Sequence, residues 1–302
     1  MWLIVVLIAQ FLNAIVFLFD KYLLGSGRID KPALYAFYVG MLGIIGVVLI
    51  PFGGLSFPGM NGLLIDFLTG GIYILACWVF YQALKVNEAS RVVPVVGSFS
   101  AVFVLILSTI FLGEALTPKF ISAFLLLLAG SVLISLRLTK KREKFDYRFL
   151  LAVLASFIFS VFYILTKYIY LHQPFISGFI WSRFGGVIFA LFLLFIPSVA
   201  KSIFKKSEKK EPAKGGKLTS ILFLSNQLMG GTNFILINWA ISMASVALVN
   251  AMQGVQYAFI FLISLFLVRY PRILVEEVNR SVIIQKIIAI LLIGAGIFLI
   301  NF

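Results

Sequence analysis

ASRVVPVVGSFSAVFVLILSTIFL, residues 89–112, returns as ASVALVNAMQGVQYAFIFLISLFL, residues 244–267, and the two copies match at both ends. AGSVLI from Ala129 returns as AGIFLI from Ala295, so the stretch from Ala89 to Ile134 is written again from Ala244 to Ile300. Working outward, the order is kept. DKYLL from Asp20 returns as TKYIY from Thr166, and Gly70 and Gly71 return as Gly230 and Gly231. A register preserved along both halves of a chain marks duplicated architecture.

The duplicated unit is a membrane unit. Hydrophobic residues make up 62% of the chain and charged residues 12%, with a mean hydropathy of +1.11, which lies outside the range of soluble globular domains. Apolar stretches near the length needed to cross a bilayer fall at 2–24, 33–52, 61–84, 91–112, 119–137, 149–170, 175–199, 218–241, 246–268 and 282–301. The run after Met1 has neither a basic leader nor a small-residue cleavage site before Asp20, so it is expected to be the first span. Cys77 is the single cysteine, which excludes an internal disulfide and thiolate metal clusters. No cofactor or metal is expected.

A net charge of +14 could point to nucleic acid, but nearly all of the 25 lysines and arginines sit in the odd-numbered connections between spans. That pattern encodes topology. It places the basic loops in the cytoplasm and both termini outside, in the plasma (inner) membrane. Five spans per half is an odd number, so the second half enters from the opposite side. The uncharged link PFGGLSFPGMN after the second span and the lysine-rich link after the seventh fit this inversion. The expected fold is all-α integral membrane, with ten transmembrane helices as two inverted five-helix repeats. The repeats cover residues 1–137 and 149–302, joined by a basic cytoplasmic linker at 138–148. Inverted repeats are a recurring plan of secondary transporters, with substrate near the midplane where the repeats meet.

Polar residues gather on particular faces of these spans. At 100° per residue the eighth span places Asn226, Gln227, Gly230, Gly231, Asn233 and Asn238 within an arc of about 160°. An unpaired amide in hydrocarbon costs several kcal/mol, so this arc faces protein or a wet cavity. It is read either as a substrate-facing wall or as a seam of interhelical amide bonds with glycine-mediated close packing. The matching arc of the third span carries Asp66, Gly70, Gly71, Tyr73, Cys77, Trp78 and Tyr81. Its rings form either an apolar substrate wall or, for Trp78 and Tyr81, an interfacial aromatic belt. Gln10, Asn13 and Lys21 on the first span correspond to Ser156, Ser160, Tyr163 and Lys167 on the sixth. The two lysines either gate opposite mouths of one path or snorkel each to its own interface. The fourth span supplies Ser98, and the ninth supplies Asn250, Gln253 and Tyr257, with Gln256 beside them.

Arg183 lies roughly 12 Å into the seventh span at 1.5 Å per residue, too deep for easy snorkelling. It pairs either with an anionic substrate group or with an internal carboxylate, for which Asp66 is the candidate. Asp66 is otherwise a solvated helix-end carboxylate. Glu114 in FLGEALTPK is expected to fix the turn between spans four and five. His172 is expected to be a solvated residue of an external turn.

The residues ALKVNEASRVVP, then FLGEALTPKFISAFLLLLAGSVLIS, with the second copy ending IIAILLIGAGIFLI, resemble the drug/metabolite transporter superfamily, and within it the ten-span branch built from two EamA-type domains. The resemblance covers nearly all of the chain. It departs after the ninth span, where FLVRYPRILVEEVNRSVIIQK replaces a short Gly-Glu turn and Glu276 or Glu277 stands where the glutamate would be. The resemblance implies a basket of helices around a central cavity lined mainly by the first, third, fourth, sixth, eighth and ninth spans. It also implies a structural role for Arg183, which resembles an arginine often seen near that point in family members.

The function expected from these features is secondary transport, in the export direction, of small polar or amphipathic metabolites such as amino acids. The partners expected are a small-molecule substrate and the lipid bilayer, not nucleic acid, with the chain acting as a monomer or homodimer. Two alternatives are a translocator of a lipid-linked headgroup and a multidrug efflux protein. An enzyme is disfavoured because no span or loop carries clustered His and carboxylates or a Ser/Lys pair.

Overall fold

The computed structural model describes residues 1–24, 32–86, 89–114, 117–135, 150–204, 216–267 and 280–301. Long runs of Leu, Ile, Val and Phe favour helix where water cannot satisfy the backbone, because a helix closes its hydrogen bonds within one segment. The described residues accordingly form helices and turns, with no strand among them. Helices α1 (Trp2–Leu24) and α2 (Pro32–Met41) come first, and α2 continues as a 3-10 helix over Leu42–Phe52. There follow α3 (Gly59–Val86), α4 (Ala89–Leu112), α5 (Pro118–Ser135), α6 (Leu150–His172), α7 (Phe175–Phe192) and the short α8 (Pro197–Phe204). The chain closes with α9 (Gly216–Met243), α10 (Val246–Ala251), α11 (Gln253–Leu267) and α12 (Arg280–Asn301).

Each of the ten apolar stretches carries helix, but among the described residues eight are long and apolar enough to cross a membrane. Pro118–Ile134 is a shorter apolar helix. Helix α9 has the length, at 28 residues, yet is not among the eight found within the described residues. The protein is therefore a multi-pass, all-helical membrane protein. The linker at 138–148 and the segment holding Glu276 and Glu277 lie outside the described residues, as does the side chain of Lys21.

Packing groups the helices into two compact units, and each draws on both halves of the sequence. In the first unit α1 lies against α9 and α11, and α5 against α12 and α11. In the second, α3 packs on α6 and α7, α4 on α6, and α2 on α3 and α7. The first span thus pairs with the eighth, and the sixth with the third.

Glycine sets the closest approaches of the second unit. Gly40 in the last turn of α2 and Gly43 and Gly46 in the 3-10 helix recur every three residues and share a face. That face meets α7. A Cβ on Gly40 would lie 3.2 Å from the Gly186 carbonyl oxygen, one on Gly43 3.2 Å from that of Arg183, and one on Gly46 3.3 Å from the Phe179 ring. Helix α7 also touches α3, where a Cβ on Gly70 would run into the Ser182 carbonyl and one on Gly185 into the Phe67 backbone. Helix α7 is therefore held backbone-close by both neighbours.

The eighth span differs. A Cβ on Gly230 would meet only a Val16 methyl, at 3.9 Å, and one on Gly231 would meet nothing within 4 Å. The expectation of glycine-mediated close packing there is corrected: the Gly70 pair packs tightly and its repeat partner does not.

Candidate functional site

In the first unit, the apolar faces of α1 and α11 bring two amides together inside the protein. The Asn13 Nδ2 donates to Gln256 Oε1 at 2.8 Å. Beside this bond Ala14, Leu18 and Ile260 form an apolar cluster. Gln10 and Gln253 each lie one turn before a member of the Asn13–Gln256 pair in their own helix. Gln10 is 2% exposed. On α9, Asn226 and Asn238 are buried and Asn233 is half-buried. The oxygens Gln10 Oε1, Asn233 Oδ1 and Gln253 Oε1 are buried and find no donor among the described residues.

The ninth span is broken in the middle of this polar region. Helix α10 ends at Ala251, Met252 makes one tight turn with Val255 N–H donating to its carbonyl at 3.0 Å, and α11 begins at Gln253. Gly254 permits the break to press on α5, because a Cβ there would run into Ser131. The Ser131 hydroxyl meets the Ala251 carbonyl at 3.3 Å, supplying a donor at the interruption. Asn250 is turned inward on α10 itself, its Nδ2 donating to the Val246 carbonyl at 3.0 Å. Tyr257 packs beside Phe17 and Phe259 against the Ala14, Leu18 and Ile260 cluster. Interrupted helices are where transporters commonly place ligand-contacting groups.

The start of α10 is capped from a distance. Gly113 adopts a positive φ of 64°, which ends α4 and turns the chain, and Glu114 follows it. Its Oε2 accepts from the Ser245 hydroxyl at 2.7 Å and its Oε1 from Val246 N–H at 3.0 Å. Glu114 does more than fix its own turn, since it anchors the first half of the broken span.

In the second unit, Arg183 lies among aromatic rings. Its Cζ stands 4.6 Å from the centre of the Tyr73 ring, 5.6 Å from Phe179 and 6.0 Å from Phe162. Such cation–π contacts are worth more when desolvated, and Arg183 is buried. Asp66 is fully buried, so the expectation of a solvated helix-end carboxylate is corrected. The Gln173 Nε2 donates to both of its oxygens, at 3.0 and 3.1 Å. The same end of the unit is tied by Ser56, whose N–H and hydroxyl each meet Ser177 Oγ at 3.0 Å and whose carbonyl accepts from the Trp181 indole at 2.9 Å.

The other expected residues of this unit divide into two sets. Trp78 and Tyr81 pack against the cluster of Ala36, Phe37, Ile74 and Cys77, with Tyr81 edge-on to Tyr35 at 4.5 Å. Ser160 is engaged between helices, its hydroxyl donating to the Ser156 carbonyl at 2.7 Å and meeting the Ser100 hydroxyl at 3.3 Å. Ser98, Tyr163 and Lys167 are half-buried, and Tyr163 leans on Phe162 at 5.2 Å. His172 is exposed at the end of α6, one ring nitrogen 2.8 Å from the Tyr168 carbonyl. Sequence reading missed Ser100, Gln173, Ser177 and the bond made by Gln256. A serine or amide on a face otherwise apolar was the available signal, but nothing local says which helix it meets.

Residues 1–136 match the EamA-like transporter family, which points to a membrane transporter. A solved structure described only as a crystal structure of a protein is similar over 97% of this chain and 95% of its own length, with a TM-score of 0.65 and 17% identity. At that identity the likeness speaks to the fold alone. No curated protein matches the chain.

Proposed function

We propose that this protein is a secondary transporter, working in the export direction, for small polar or amphipathic metabolites such as amino acids. Transport proceeds by alternating access around a central cavity between inverted repeats, with the basic loops cytoplasmic. The observation that carries this reading is the set of buried amide oxygens on α1, α9 and α11, those of Gln10, Asn233 and Gln253, because unmatched amides in an apolar setting cost too much to be retained idly. The family match over residues 1–136 supports it. So does the equivalent pairing of α1 with α9 and of α6 with α3, which is what a repeated unit would produce.

The proposed substrate contacts are Gln10, Asn13, Asn226, Asn233, Asn250, Gln253 and Tyr257 in the first unit. In the second they are Tyr73, Trp78, Tyr81, Ser98, Ser160 and Tyr163, with Lys21, Lys167, Arg183 and Asp66 as gate or charge residues. Purified protein in liposomes tests this. Wild type should carry counterflow of at least one metabolite class, and Asn233→Leu and Gln253→Leu should abolish flux while remaining folded in the membrane. Normal flux in both variants would sink the amide reading.

A further inference from the structure

Asp66 lies seven residues into α3, about 10 Å along the axis at 1.5 Å per residue, and is 0% exposed. Both bonds to its oxygens come from one neutral nitrogen, Gln173 Nε2, at 3.0 and 3.1 Å. An ionised carboxylate taken out of water needs a paired charge or a fuller set of donors to hold its charge. Among the described residues no cation answers it.

The amide beside it lacks the opposite partner. Gln173 Oε1 is buried and has no donor among the described residues. A proton on Asp66 supplies that donor: the carboxylic O–H gives to Oε1 while Nε2 gives to the other carboxyl oxygen, so acid and primary amide close a two-bond ring. Exchanging the amide's oxygen and nitrogen leads to the same result. Oxygen would then face oxygen at 3.0 Å, and a proton between them is what relieves the contact.

The surroundings suit a proton better than a metal ion. A bound calcium or magnesium takes about six or more oxygen ligands, whereas the amide is flanked by Gly62 and Gly178, which bring no side chain. A Cβ added at these two would stand 3.5 Å from Gln173 Nε2 and 3.6 Å from Oε1. Of the titratable groups on elements packed against α3, Tyr170 of α6 is within electrostatic reach of Asp66. On the same helix Lys167 lies six residues before Gln173, and His172 is exposed with its ring against Tyr168. Arg183 of α7 stands over the Tyr73 ring, two turns farther along α3. Residues 32–52 hold no charge, only Tyr35 and Tyr38, and α4 carries Arg91 in its first turn, beyond the far end of α3.

We infer that Asp66 and Gln173 form a proton-binding site that couples protons to transport. The proton comes from water and returns to it, and Asp66 alternates between carboxylate and acid with no other group consumed. Gln173 is half-buried and next to the exposed His172, so the path to water is short. The pair bridges α3 to the turn between α6 and α7, at the end where Ser56 also ties the link before α3 to Ser177 and Trp181. Loss of the proton strands Oε1 and leaves charge in the apolar interior, which favours opening of this end to water. The inference rests on the reading of the protein as a transporter and names its coupled ion.

Infrared difference spectra of the purified protein between acidic and alkaline buffer test the site. Wild type should gain a carboxylic C=O band on acidification that Asp66→Asn lacks. In Gln173→Leu, where the acid loses its acceptor, the band should move to higher wavenumber, and this variant serves if Asp66→Asn does not fold. Identical difference spectra in wild type and variants overturn the site, and so does loss of the Asp66 band on adding sodium chloride at fixed pH, which would mark a metal ion as the occupant. Coupling is read in liposomes from uptake of a radiolabelled amino-acid mixture under an imposed pH gradient. The gradient should drive accumulation in wild type and about tenfold less or lower in Asp66→Asn. Flux that ignores the gradient, or responds to it equally in the variant, overturns the coupling. A titrating Asp66 with no flux of any kind would remove transport and leave the proton site, whereas flux without an Asp66 band would remove the proton site and leave transport.

Discussion

Glu114 stands in a turn, yet both of its oxygens hold residues more than 130 positions away, at Ser245 and Val246. A carboxylate at a helix start satisfies backbone donors that the helix cannot. Glu114→Ala should therefore lower stability by about 1–2 kcal/mol, and Glu114→Gln by less, as read by thermal unfolding in micelles. An unchanged melting curve for the alanine variant would show that the cap is idle. Asp66 offers a second check. Gln173 donates to both carboxylate oxygens, so Asp66→Asn sets an amide N–H group against another and should cost about 1–3 kcal/mol. Asn13, Asn233 and Gln253 were legible from sequence because an amide in hydrocarbon demands a partner. The bond from Asn13 to Gln256 was not, because the two residues lie on different helices and meet only when those helices pack.

At the scale of elements, glycine spacing separates two kinds of contact. The stripe of Gly40, Gly43 and Gly46 has period three, and it lets the end of α2 and the 3-10 helix after it lie close on α7. Gly43→Leu should destabilise the protein by about 1–3 kcal/mol, as overpacking does, while Gly231→Ala should stay within about 0.5 kcal/mol because its Cβ meets nothing. Denaturant or thermal unfolding of the two variants side by side decides it, and similar losses in both would refute the assignment. The period-three pattern was visible in YVGMLGIIGV but reads in sequence as ordinary transmembrane small-residue content. Which partner lies within reach is a property of packing. The interruption at Met252 was equally hidden, since VNAMQGVQ contains no proline and its only glycine, Gly254, proves to serve contact with Ser131.

For the whole molecule, orientation is carried by charge and can be tested directly. Cys77 is buried, so a new cysteine at an exposed position labels against little background. His172→Cys should react with an impermeant thiol reagent from outside intact cells, and Lys201→Cys only after permeabilisation; the reverse pattern would invert the proposed topology. The sequence by itself determined that this is a helical, multi-pass membrane protein, because hydropathy is a property of the chain read one residue at a time. It also marked the amides, since their cost in an apolar environment does not depend on the fold. Only the tertiary structure decided that helices from both halves pack together in each unit, that Glu114 serves α10, that Asp66 is buried against Gln173 and that Arg183 lies among aromatic rings. Those facts rest on distances between segments far apart in sequence, and close packing, not composition, sets such distances.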